Sequence, residues 1–191
     1  MSQAKSLTEK ELQRLLAYLK TTKNPKRNRA MVLLTYYAGL RVQEVAKLTI
    51  GCVYEQSGDI KREIHLQPEQ TKGNHPRVIL VSEKLVYELR NYLDLRLKQT
   101  TDRAQPLFTP ESSSKAFSVD SLTHRFHDFY RRSGFDNASS HSGRRTFITQ
   151  LASKGVSARV LQELAGHRHL TTTQRYIDIS EAMKRNAVEL I

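Results

Sequence analysis

Basic and nucleophilic side chains recur along this chain at spacings that could build an anion-handling site. Near the C-terminus, "LAGHRHLTTTQRYIDIS" sets His167 and His169 ahead of three threonines, an arginine and a lone tyrosine, Tyr176. In "HSGRRTFIT", His141 and Arg144 are three apart and share a face if a helix has begun, with Arg145 following. Unpaired N–H groups and the macrodipole favour anions at helix N-termini, so a histidine and two arginines there suit a phosphate. In "AGLRVQEVAKL", apolar neighbours would hold the Arg41 guanidinium partly buried, and a buried guanidinium needs an anion. Glu44, at i+3, could be that anion or could orient Arg41. In "QTKGNHPRVIL", Lys72 falls at the tip of an expected hairpin.

Each of these features has a plainer reading on its own. Arg41 could be a surface arginine, Lys72 a solvated turn lysine, and Tyr176 an ordinary half-buried tyrosine. The HSGRR stretch could be the basic first turn of a solvated helix, although basic residues are disfavoured at that end. His167, His169, His141 and Cys52 raise the question of a metal centre. The ligands are neutral, no carboxylate is interleaved and there is one cysteine rather than a cluster, so no metal is expected.

Composition narrows the partners. The chain has 191 residues, which fits one domain, and 31 Lys+Arg against 19 Asp+Glu give a net charge of +12. Such a charge favours a polyanion, nucleic acid foremost. No apolar run approaches a bilayer span, the N-terminal stretch lacks a signal-peptide core, and no basic amphipathic helix has a strong aromatic face, so no membrane partner is expected. With Cys52 alone no intrachain disulfide is possible, and a cytoplasmic, reducing setting is the expectation.

The elements that must position these residues are mostly helical. Thr8 and Glu11 form a capping box that opens a helix to about Lys20, with Leu12, Leu15, Leu16 and Leu19 on one face. Asn24-Pro25 starts a second helix, which Gly39 ends, and Arg41 to Leu48 reads as a short third. Val53-Tyr54, then Ile60 to Leu66, then Val78 to Val81 read as three short antiparallel strands. Further helices are expected around Leu85–Leu93, Leu122–Tyr130, His141–Lys154 and Ser157–Ala165. Ser180 caps a last one carrying Met183, Ala187 and Leu190. The class is mostly α with a small three-stranded antiparallel sheet.

Taken in order, Arg41, Lys72, His141-x-x-Arg144, His167 and Tyr176 resemble the catalytic domain of the tyrosine recombinases, or phage integrase family. The matching stretches are "GLRVQEVAKL", "TKGNHPRVIL", "HSGRRTFIT" and "LAGHRHLTTTQRYID", and they cover nearly the whole chain. The family's G-H-x(4)-T-T-x-x-Y pattern is met by Gly166, His167, Thr172, Thr173 and Tyr176. Gly143 and Arg145 stand where the family commonly has Leu and His; the first departure predicts looser local packing. Asp178 stands where a histidine often follows the tyrosine.

The resemblance implies the family's fold and DNA cleavage and rejoining through a covalent 3′-phosphotyrosine, with no ATP or other cofactor. It makes Tyr176 the nucleophile, with Arg41 and Arg144 on the non-bridging oxygens and Lys72 protonating the leaving 5′-oxygen. His141 would manage the tyrosine proton and His167 would donate to a phosphate oxygen. Glu44 would stand behind Arg41, and Lys72, Arg77, Arg145, Thr172 and Thr173 would meet DNA. The partners implied are double-stranded DNA, further copies of the chain in a dimer to tetramer on that DNA, and accessory DNA-bending proteins. The setting would be the bacterial nucleoid or a phage-infected cell. Residues 1–191 read as one catalytic domain with a tail helix at about 180–191 and no N-terminal core-binding domain. That is like the minimal recombinases that invert fimbrial promoter segments, or like a fragment of a larger integrase. Type IB topoisomerase-like relaxation and DNA-binding regulation on a recombinase fold remain as alternatives.

Overall fold

A computed structural model describes residues 4–71, 73–177 and 181–189, omitting the side chains of 181–183 and 186. Lys72 and Ser180, and the side chains of Met183 and Leu190, therefore lie outside the described residues.

Helix α1 (Glu9–Lys20) starts at the expected capping box: the Glu11 N–H donates to the Thr8 hydroxyl at 3.3 Å, and the Thr8 N–H donates to the Glu11 carboxylate at 2.9 Å. Its four leucines are all buried, each worth roughly 2 kcal/mol of apolar transfer. Helix α2 (Pro25–Ala38) begins with proline at its first turn and ends at Gly39, which has φ 63°. It is buried on nearly every side from Ala30 to Leu34 because α1, α3 (Val42–Ala46), α5 (Glu83–Arg96) and α7 (Ser142–Ser153) all pack against it. Helix α6 (Val119–Arg132) packs on α1 and α3 and buries Leu122, Phe126, Phe129 and Tyr130.

Two backbone approaches fix α7 against α2. A Cβ at Gly39 would lie 2.6 Å from Phe147 Cδ1, and one at Gly143 would lie 2.1 Å from Thr35 Oγ1. Gly143 thus does not loosen the packing, as its departure from the family pattern predicted; it permits a contact that any side chain would block.

The sheet has two strands among the described residues, not three. Strand β1 (Glu63–Leu66) pairs antiparallel with β2 (Arg77–Leu80), with Glu63 opposite Leu80 and Leu66 opposite Arg77. The expected first strand instead begins as a helical turn, α4 (Ile50–Val53), and only Tyr54 pairs, through an isolated bridge to Ile60. The cause is a distant loop: the Ile50 and Gly51 N–H groups donate to the carbonyls of Gln105 and Arg103 at 3.0 and 2.8 Å. Those amides are therefore not offered to a strand partner.

The chain closes with α8 (Ala158–Ala165), α9 (Leu170–Gln174) and α10 (Glu181–Val188). Ser157 caps α8, and Gly166, at φ 60°, ends it. Among the described residues no helix is long and apolar enough to cross a membrane.

Candidate active site

The end of α8 gathers three arginines from three parts of the chain. Arg41, at the start of α3, donates from Nη2 to the Gly166 carbonyl at 3.2 Å. Arg77, at the start of β2, donates from Nη1 to the Ala165 carbonyl at 2.6 Å. Arg144, in the first turn of α7, donates to that same Ala165 carbonyl and, from its other terminal nitrogen, to the carbonyl of Gly39. The carbonyl end of a helix is the negative end of its dipole, so it suits this role.

Among the described residues one carboxylate stands among these cations. Glu44 is fully buried and accepts from the Arg41 side chain at 2.9 Å and the Arg41 N–H at 2.8 Å; Arg77 Nη1 lies 3.5 Å away. A buried carboxylate needs such partners, and breaking one is costly. Three guanidiniums against one carboxylate leave a local excess of positive charge. Burial, then repulsion from Arg41 and Arg77, pulls Arg144 down to about 9; burial likewise pulls Arg77 to about 10, with Glu44 opposing. An incoming oxyanion would relieve both.

The nucleophile candidate sits beside this cluster. Gly166 leads directly into His167, whose Nδ1 lies 2.9 Å from the Thr173 hydroxyl. The half-buried ring of Tyr176 stacks on that of His167, with centroids 5.7 Å apart and planes 21° from parallel. Short helix α9 makes this possible by turning the chain back between the two rings. On the other side, the Arg145 guanidinium lies 5.4 Å from the Tyr176 ring centre, a cation–π contact, and its Nε donates to the Ser6 hydroxyl at 3.2 Å. Burial, reinforced by Arg144, Arg41 and Arg77, pulls His167 to about 4, so its ring is neutral near pH 7.

The structure thus brings together Arg41, Glu44, Arg144, Arg145, His167 and Tyr176. His141 is the exposed residue that opens α7, one turn before Arg144. Thr172 is partly exposed on α9. Two residues expected to face DNA are turned inward instead. Thr173 is fully buried behind His167, and the Arg77 side chain is only 9 % exposed, packed on Glu44 and the Ala165 carbonyl. For Arg77 the strand alternation was the available signal, since it shares the inward face of β2 with buried Ile79. Among the described residues no group of three or more His, Cys, Asp or Glu could share a metal ion.

Comparison with known proteins identifies the family. The model of the phage integrase family matches residues 5–183. The tyrosine recombinase XerA of Pyrococcus furiosus is 31% identical over 187 residues, which are 97% of this chain and 61% of that protein. XerD of Pseudomonas putida is 31% identical over 158 residues, 82% of this chain and 51% of that one. The chain thus spans about half to three-fifths of the length of these relatives. The crystal structure of XerA recombinase superposes with a TM-score of 0.78 at 27% identity, covering 100% of this chain and 66% of that one. The catalytic domain of bacteriophage HP1 integrase gives 0.68 at 23% identity, covering 98% and 95%.

Proposed function

The chain belongs to the phage integrase family, and from that premise we propose that it cleaves and rejoins DNA strands through Tyr176. The observation that carries this reading is the stacking of Tyr176 on His167 beside the guanidiniums of Arg41, Arg77 and Arg144, which converge on the carbonyls of Ala165 and Gly166. In the step proposed, the Tyr176 oxygen bonds to a backbone phosphorus as the bond from phosphorus to the 5′-oxygen breaks. The product is a 3′-phosphotyrosine and a free 5′-hydroxyl, so the bond energy is kept for rejoining and no ATP is needed.

The residues divide the work by their chemistry. The transition state adds negative charge to the non-bridging oxygens, and Arg41 and Arg144 offer planar, fixed donors for it. Phenols ionise near pH 10, so a base is needed, and His141 at the mouth of α7 takes that proton. The 5′-oxygen is a poor leaving group, and Lys72, between β1 and β2 in the sequence, gives it a proton. Neutral His167 can donate to a phosphate oxygen only from Nε2. That requires Nδ1 to accept from the Thr173 hydroxyl, the contact at 2.9 Å.

Duplex DNA is the proposed substrate. The net charge of +12 suits it, and the Tn1549 transposon integrase, similar in fold with a TM-score of 0.77, was solved in complex with transposon right end DNA. Assembly into a dimer or tetramer on paired sites is part of the proposal, with α10 as the docking element and Val188 71% exposed on it. DNA-bending accessory proteins, and a place in the nucleoid or phage-infected cell, go with strand exchange. The test is incubation with a nicked suicide duplex carrying a site recovered from a random-sequence pool. A denaturation-resistant, protease-sensitive protein–DNA species supports the reading, and its absence from every recovered site refutes it.

A further inference from the structure

Arg77 is the least explained member of the cluster. Its Nε and Nη2 are shielded from solvent and have no hydrogen-bond partner among the described residues. Leaving buried donors unpaired costs roughly 1–3 kcal/mol, more for a charged group, a cost that the contacts of its Nη1 must offset. The side chain also lies directly on the turn after α8: a Cβ on Gly166 would come within 2.9 Å of both its Cδ and Nη1. Its one satisfied nitrogen joins Ala165, two residues before His167, to the neighbourhood of Glu44, which in turn holds Arg41.

We infer that Arg77 is a positioning residue that clamps the Ala165–Gly166 turn against the Arg41–Glu44 pair and so sets His167 for the reacting phosphate. The inference rests on the DNA-cleaving reading of the site. Arg77 acts on the phosphate only through this turn, with its Nη1 held by the Ala165 carbonyl and 3.5 Å from Glu44; direct contact is the alternative that the cycle with His167 tests. What it controls is the height of the turn. Gly166, with φ 60°, is the turn residue there, and without the clamp the turn keeps the Arg41 bond to Gly166, the Arg144 bond to Ala165 and the Gln162 amide bonds to the carbonyls of His167 and Arg168 at 3.0 and 3.3 Å, so its loss loosens the turn without releasing it.

The test compares Arg77→Gln and Arg77→Lys with the unmodified chain on three readouts. The first is amide hydrogen exchange of the peptide spanning 162–176, measured without DNA. It should rise at least tenfold in Arg77→Gln while the peptides of α1 and α2 keep their protection. The second is DNA affinity on the recovered duplex, which should change less than threefold. The third is the single-turnover rate of covalent adduct formation, which should fall at least thirtyfold, with Arg77→Lys intermediate. The cycle with His167→Ala decides the route. If Arg77 works through His167, Arg77→Gln costs less than threefold in the His167→Ala background. An undiminished thirtyfold loss there overturns the inference in favour of direct phosphate contact. Unchanged exchange at 162–176, or loss of the fold in both Arg77 variants, also overturns it. If the unmodified chain forms no adduct on any duplex, the DNA-cleaving reading fails, and the exchange experiment still decides whether Arg77 clamps the turn.

Discussion

The imidazole of His167 lies between the Tyr176 ring, with centroids 5.7 Å apart, and the Thr173 hydroxyl, 2.9 Å from Nδ1. In the reading proposed the hydroxyl donates to Nδ1, which leaves the proton on Nε2, and the stacked ring holds the plane. Thr173→Val keeps the shape and removes the hydroxyl. Losing one such hydrogen bond is worth about 1 kcal/mol, so the adduct rate should fall roughly five- to tenfold with little change in DNA affinity. A single-turnover assay with paired binding measurements checks both.

The low pKa of His167, about 4 against an ordinary 6.5, makes a stability prediction with a definite sign. Between those values the unfolded chain binds a proton that the folded chain does not. Stability is therefore lost as pH falls from about 6.5 towards about 4, and this contribution stops changing below that. His167→Phe removes the group. Its urea midpoint should depend less steeply on pH over that window than the unmodified protein's, while Glu111, held at about 2, acts at lower pH in both. Equal slopes would show that His167 is not buried as described.

Gly143 gives a prediction about the fold alone. Gly143→Ala puts a methyl 2.1 Å from Thr35 Oγ1 and should cost about 1–3 kcal/mol in urea unfolding. Thr35→Ala in the same chain should recover part of that loss, because the two residues share one contact. Simple additivity would mean that α2 and α7 do not meet there.

Salt dependence separates surface cations from buried ones. Each phosphate neutralised contributes about −0.9 to the slope of log K against log salt. If half-exposed Arg145 meets a phosphate, Arg145→Ala should make the slope shallower by about that amount. Arg77→Gln, buried and turned inward, should leave it unchanged.

Much of this was legible in the sequence because it is written locally. Thr8 with Glu11, Pro25, Gly39, Ser157 and Gly166 mark helix ends by their own chemistry, and the leucines of α1 mark its buried face. What could not be read is what distant segments decide. Val53-Tyr54 has strand-like residues, yet carbonyls from 103–105 draw the stretch before it into a turn. Thr173 looks like a surface polar residue until α9 sets it behind His167, the acceptor of Arg77 lies at the end of distant α8, and the fit of Gly143 depends on Thr35, in another helix. The basic residues of the site were visible as types. Their convergence on the carbonyls of Ala165 and Gly166 was not, since nothing in the spacing of Arg41, Arg77 and Arg144 names a shared acceptor.

The two arginines proposed to face the phosphate can be told from mere binding groups by comparing rate with affinity. Arg41→Ala and Arg144→Lys should each cost about 3 kcal/mol or more of transition-state stabilisation, a hundredfold or greater loss in rate. Affinity for the duplex should fall less than tenfold. A loss of affinity as large as the loss of rate would make them binding residues only.

The central claim is that Tyr176 forms the covalent bond to DNA, and substitution of its hydroxyl tests it most directly. Tyr176→Phe keeps the ring that stacks on His167 and removes only the nucleophilic oxygen. On the nicked suicide duplex the unmodified chain should give a denaturation-resistant protein–DNA species. Tyr176→Phe should bind the same duplex with similar affinity and give none. A covalent species formed by Tyr176→Phe at a comparable rate would contradict the assignment.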